Sequence, residues 1–76
     1  MNADQTVDCT GLYCPMPIVK TAERIKQLKQ GEILEVVADD KRIKQDMPAW
    51  CKATGHDFWG IEEGGEIKVY VKKTHE

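Results

Sequence analysis

The 76-residue chain predicts a two-layer α/β sandwich of the α+β kind, with element order β-α-β-α-β-β. Three observations lead there. Two amphipathic stretches with helical spacing each follow a β-rich segment. Prolines and glycines punctuate the chain where those stretches begin and end. A Gly64-Gly65 pair separates two final runs of strand character, as in a hairpin. Helical crossovers favour parallel strands with right-handed connections, and a terminal hairpin adds an antiparallel pair. The expected product is a mixed four-stranded sheet with two helices on one face.

The elements read in order as follows. Gln5 to Cys9 is a short strand, and Thr10 to Tyr13 is a loop containing Gly11. Pro15 to Lys29 is a helix whose apolar face is Ile18, Val19, Ala22, Ile25 and Leu28, closed by Gly31 as its C′ residue. Glu32 to Ala38 is a strand rich in branched aliphatic residues. Asp39-Asp40-Lys41-Arg42 is a polar loop before a second helix, where Ile43, Met47, Trp50, Cys51 and Thr54 form the stripe. Pro48 interrupts that segment and marks either the first turn of the main helix, with Asp46 as cap, or a kink; Gly55 closes it. Asp57 to Glu63 and Glu66 to Lys72 are the hairpin strands. In the last one Ile67, Val69 and Val71 are expected inward, and Lys68, Tyr70 and Lys72 on the open face.

The most informative run is Gly11-Leu12-Tyr13-Cys14-Pro15-Met16-Pro17. Pro15 and Pro17 lack backbone N–H groups and therefore suit the first turn of a helix. This reading puts Cys14 at or beside the N-cap and Pro15 at N1. A thiol there meets the positive end of the helix dipole and the free N–H of Met16, both of which favour the thiolate. Cys14 is therefore the candidate nucleophile, and the two prolines stiffen its turn.

Composition sets the bounds. With 41% hydrophobic and 32% charged residues the chain reads as globular rather than disordered, and residues 1–76 are expected to form one small domain. Eleven Lys and Arg against 13 Asp and Glu leave a net charge of −2, which argues against direct nucleic-acid binding. No apolar run is long enough to span a membrane, and no signal-peptide pattern precedes Thr6. Three cysteines exclude a full disulfide framework and point to a reducing cytoplasm. Their spacing matches no zinc pattern, so neither a metal nor another cofactor is expected.

On these residues the chain resembles the TusA/SirA-like family of small sulfur-carrier proteins. The resemblance rests on Asp8, Gly11-Leu12, Cys14-Pro15-Met16-Pro17, Gly31-Glu32, Ala38-Asp39-Asp40, Asp46-Met47-Pro48 and Gly55-His56. It covers roughly residues 6 to 72. It implies a sulfur-carrier function in which Cys14 holds sulfane sulfur as a persulfide and passes it on. The implied partners are a sulfur-donor protein, of cysteine desulfurase or rhodanese type, and a sulfur-acceptor protein. Whether such a carrier counts as an enzyme is partly a matter of definition. Cys9 departs from the family pattern, which has a small or aliphatic residue there.

Other residues have competing readings. Cys9 is either a packing residue at a strand end or a second thiol that resolves or accepts from Cys14. Such a pair would make the protein a redox-sensing or interaction domain. Cys51 falls on the apolar stripe and reads as core. His56 reads as a partner for a helix C-terminus, and His75 as tail. Asp39 and Asp40 read as solvated loop residues rather than an acid–base couple. Lys20, Arg24, Lys26 and Lys29 are a solvated helix face or a docking surface for an acidic partner. An RNA-binding module is a further alternative, because the family fold resembles the C-terminal domain of translation initiation factor three.

Overall fold

Branched residues at alternate positions build the strands, and a shared apolar layer decides how they assemble. The computed structural model describes residues 3–13 and 15–75. Its elements are β1 (Gln5–Asp8), α1 (Met16–Ile25), β2 (Ile33–Ala38), α2 (Ile43–Thr54), β3 (Asp57–Glu63) and β4 (Ile67–Lys72). The sheet order is β1-β2-β4-β3, with β1 parallel to β2 and β4 antiparallel to both neighbours. The hairpin strand β4 therefore fills the centre of the sheet, and β3 takes the outer edge. The predicted mixed sheet with two helices is the one observed.

Inward-facing Val7, Leu34, Val36, Ala38, Ile67, Val69 and Val71 meet Ile25 and Leu28 of the α1 segment and Ile43, Met47 and Cys51 of α2. Both helices therefore cover the same face. Thr21 is fully buried among these residues, and its hydroxyl donates to the Pro17 carbonyl at 2.8 Å, which satisfies the polar atom.

Several boundaries differ from the sequence reading. β1 ends at Asp8, although the Cys9 N–H still donates to the Val37 carbonyl at 2.6 Å. Pro15 is the N-cap of α1 rather than N1, and Pro17 lies in the first turn. The helix stops at Ile25, not Lys29. Beyond it Gln27 and Leu28 donate to the carbonyls of Arg24 and Ile25, so the chain tightens into turns. The buried Lys73 ammonium then takes the Leu28 carbonyl at 2.7 Å. Gly31, at φ 93°, opens β2 instead of closing α1, and its N–H donates to the Lys73 carbonyl. Val19 is 41% exposed, because Pro17, Thr21 and Ile25 form the buried stripe. Pro48 lies inside an uninterrupted α2, and Asp46 sits in its first turn rather than at its cap. β4 starts at Ile67 rather than Glu66.

Phe58 and Ile61 both pack on the core although three residues separate them. A bulge between Phe58 and Gly60 makes this possible: Phe58 pairs with Val71, and the next partner, Tyr70, pairs with Gly60. Trp59 is the extra residue and points outward, 46% exposed, with the Lys72 ammonium 5.6 Å from its ring centroid. Tyr70 lies on the open face as expected, yet only 1% of it is exposed. Its hydroxyl sits between Glu62 Oε1 (2.6 Å) and Glu35 Oε2 (2.7 Å), and these two carboxylates push its pKa up. Glu35 also accepts from the Thr6 hydroxyl at 3.0 Å, so the open face carries a polar ladder across all four strands.

Candidate functional site

The loops that follow β1 and β2 leave the same end of the sheet, because those strands are adjacent and parallel. Ligand and reaction sites in such folds lie beyond the carboxyl ends of the strands. The β1–α1 loop carries the cysteine-proline run. The Thr10 N–H and hydroxyl both donate to Asp8 Oδ1, at 2.9 and 2.6 Å. Those two bonds lower the Asp8 pKa. Gly11 turns the chain at φ 80°, and the Leu12 N–H donates to the Cys9 carbonyl at 3.1 Å.

Asp39, from the loop after β2, supplies the cross-link between the two loops. Both its carboxylate oxygens accept from the Gly11 N–H at 3.1 Å. Asp40 accepts from the Arg42 N–H at 3.0 Å and pairs with the Arg42 Nε at 3.5 Å. Its side chain is only 10% exposed, so it is a tied loop residue rather than a solvated one. The two aspartates thus serve loop geometry, and the acid–base reading finds no support in their contacts. The Asp39–Gly11 contact was missed from sequence. A glycine after a strand, facing an acid after a parallel strand, is the only signal that hints at it.

Cys14 lies outside the described residues. The chain on both sides of it is exposed: Tyr13 by 69%, Met16 by 40%, with Pro15 also exposed. The Met16 N–H donates to the Tyr13 carbonyl at 2.8 Å, so it is not free as the sequence suggested. Ile18 and Val19 both donate to the Pro15 carbonyl at 3.1 Å, and Pro17 has no N–H. The first turn of α1 therefore has its N–H groups occupied or absent. What it offers an anion is the field of the helix dipole rather than a direct N–H bond.

The other two thiols are enclosed. Cys9 is fully buried, and burial first, then the Asp8 charge, pushes its pKa up. Cys51 is 1% exposed and pushed up to about 11 by burial and by Asp57. Both match the packing readings. His56 sits at the far end of α2, about 18 Å along a 12-residue helix from the site loops. There its Nδ1 accepts from the Thr74 N–H at 3.3 Å. His75 is no free tail: it stacks on His56 with centroids 4.4 Å apart, and its Nε2 donates to the Thr54 carbonyl at 2.7 Å. Among the described residues no group of His, Cys, Asp and Glu could hold a metal ion. Nor is any described helix long and apolar enough to cross a membrane.

The family model of sulfurtransferase TusA matches residues 5–73, almost the whole chain. The chain belongs to the TusA family. The putative sulfur carrier protein YrkI of Bacillus subtilis is 45% identical over 74 residues, which cover 96% of this chain and 99% of that one. The sulfur carrier protein TusA of Pseudomonas entomophila is 35% identical over 71 residues, covering 92% and 89%. The putative sulfur carrier protein YrkF of Bacillus subtilis is 54% identical over 67 residues, 88% of this chain but 36% of the relative. This chain thus spans about a third of YrkF. The crystal structure of a SirA-like protein from Desulfitobacterium hafniense superposes with a TM-score of 0.78 at 20% identity, covering 93% and 99%. That likeness concerns the fold. The names of the sequence relatives support a sulfur-carrier role for this TusA-family chain.

Proposed function

We propose that Cys14 accepts sulfane sulfur as a persulfide and hands it to a partner protein in the cytoplasm. The observation that carries this reading is the contrast between the three cysteines. Cys9 and Cys51 are buried with raised pKa values, whereas the residues that flank Cys14 in the sequence, Tyr13, Pro15 and Met16, are exposed. The family membership supports the same assignment.

The chemistry is sulfur exchange. The Cys14 thiolate attacks the terminal sulfur of a donor persulfide, R–S–SH. One S–S bond forms, one breaks, and the donor leaves as R–S⁻ with the proton retained on the transferred sulfur. An acceptor thiolate repeats the step on Cys14–S–SH. Electrons balance at each transfer, so neither step consumes an oxidant. Pro15 and Pro17 hold the turn, and the dipole of α1 favours the anion in both the thiolate and the persulfide. The proposed donors are a cysteine desulfurase or a rhodanese-type protein. Burial of Cys9 speaks against a Cys9/Cys14 redox pair as the working unit.

The test is loading. Incubated with a cysteine desulfurase and cysteine, or with rhodanese and thiosulfate, the protein gains the mass of one sulfur atom, lost again on reduction. Cys14→Ser abolishes the gain; Cys9→Ser and Cys51→Ser retain it. Failure of every donor to load a Cys14 that still alkylates refutes the proposal.

A further inference from the structure

The C-terminal ends of α1 and α2 part around a cleft of about 470 Å³, a volume in the range of small-molecule sites. It lies at the opposite end of both helices from the loops that follow β1 and β2, and the sulfur exchange proposed above does not use it. Ala22 and Ile25 supply an apolar wall from α1. The rest of the lining brings three rings together. Trp50 and His56 have centroids 5.6 Å apart and planes tilted by 30°, and His75 stacks on His56 at 4.4 Å within 9° of parallel. Aromatic faces arranged in this way suit a flat ring, which packs on them by offset stacking.

The polar groups around the cleft are of one kind. Lys26, Lys73 and the two histidines line it, and among the described residues no carboxylate does. The C-terminal end of a helix is its negative end, but the carbonyls here are already taken. The Leu28 carbonyl accepts from the Lys73 ammonium, the Thr54 carbonyl from His75 Nε2 and the Gly55 carbonyl from the Thr74 hydroxyl, each at 2.7 Å. Donors are what remains. His56 accepts from the Thr74 N–H through Nδ1, so its neutral ring carries the proton on Nε2. Neither that N–H, nor the Trp50 indole N–H, nor the exposed Lys26 ammonium has a partner among the described residues.

We propose that this cleft binds a small aromatic carboxylate, its ring against Ala22, Trp50 and His56 and its carboxylate toward Lys26 and the His56 N–H. The apolar walls match the ring, and the acid-free cationic rim matches the charge. Lys26 from α1 and Lys73 and His75 from the segment after β4 are the charged or titratable groups around His56 in the lining. Burial, then His75 and Lys73, hold the His56 pKa down. A bound carboxylate favours the imidazolium and offsets that effect, so affinity rises as pH falls through the His56 titration.

The test titrates the full chain with naphthoate, and with naphthalenemethanol as its uncharged counterpart, and follows the protein by NMR. Naphthoate is expected to shift the Trp50 indole and His56 ring signals saturably, with a Kd of about 1 mM or tighter, and to bind at least about fivefold more tightly than the alcohol. It also raises the pKa read from the His56 ring signals. Lys26→Glu, at an exposed position, weakens naphthoate about fivefold or more and leaves the alcohol within about twofold. Ala22→Phe, which fills the cleft, weakens both, with folding checked by circular dichroism. Cys14→Ser binds naphthoate as the wild type does, which keeps the result independent of the sulfur chemistry. No saturable shift up to about 10 mM, where a site of this affinity is mostly filled, overturns the proposal. Equal affinity for the alcohol does so too, because the cleft is then merely apolar. Naphthoate binding that appears only after deletion of Glu76 assigns the cleft to the chain's own end, and Trp50 signals that move with protein concentration alone assign it to a second copy. Either result overturns the proposal.

Discussion

A short pulse of limiting iodoacetamide at pH 7 separates the three thiols by their state of ionisation. Only the thiolate attacks the reagent. An exposed thiol of ordinary pKa, about 8.5, is roughly 3% ionised at pH 7. Cys51, pushed up to about 11, is ionised to only about one part in 10,000 at that pH. Ionisation alone therefore favours an ordinary exposed thiol by a factor on the order of 300. The dipole of α1, at about 0.3–1 kcal/mol, multiplies this by no more than about fivefold. The 1% exposure of Cys51 adds a second barrier, since the reagent reaches it only when the α2 contact with the sheet opens. Cys9 has both handicaps in the same direction, with its sulfur in the core and its pKa raised. Peptide mass analysis after the pulse should find nearly all label on Cys14. Labelling of Cys51 or Cys9 at a comparable rate would refute the reasoning, because it would place a core thiol in solvent.

Two further outcomes follow from contacts at either end of the molecule. Asp39→Ala frees the Gly11 N–H from its cross-loop acceptor and is expected to cost about 1 kcal/mol, hence several degrees in melting temperature. It should also slow persulfide loading, with Asp39→Asn recovering part of the loss; wild-type melting and loading in the Ala variant would show the cross-link to be idle. His56 has a lowered pKa, chiefly through burial and then through His75 and Lys73, so below about pH 6.5 the unfolded chain takes up the proton first. Stability is therefore full above that pH and falls as pH drops through it. Thermal melts from pH 7.5 to 5.5 should show this decline in the wild type and a flatter profile in His56→Gln; identical slopes would count against the assignment.

The fold class and the element order were legible in the amino-acid pattern, as was the proline-rich start of the first helix. Those features rest on local chemistry: branched residues alternate in strands, apolar residues recur with helical spacing, and proline is confined to a helix start by its missing N–H. The core placement of Cys51 was readable for the same reason, because its stripe with Ile43 and Met47 is periodic. Tertiary structure decided the rest. Beyond the end of α1 at Ile25, the Leu28 carbonyl is held by Lys73, 45 residues later in the chain, a contact that no local pattern reveals. The bulge at Trp59 exists because Phe58 and Ile61 both find apolar partners on the inner face, and strand alternation alone forbids that. Asp39 holds Gly11 only because β1 and β2 lie side by side and end together. Val19 looked like core because helical spacing counts apolar residues without knowing the helix's rotation. The sheet fixed that rotation on Thr21, leaving Val19 in water.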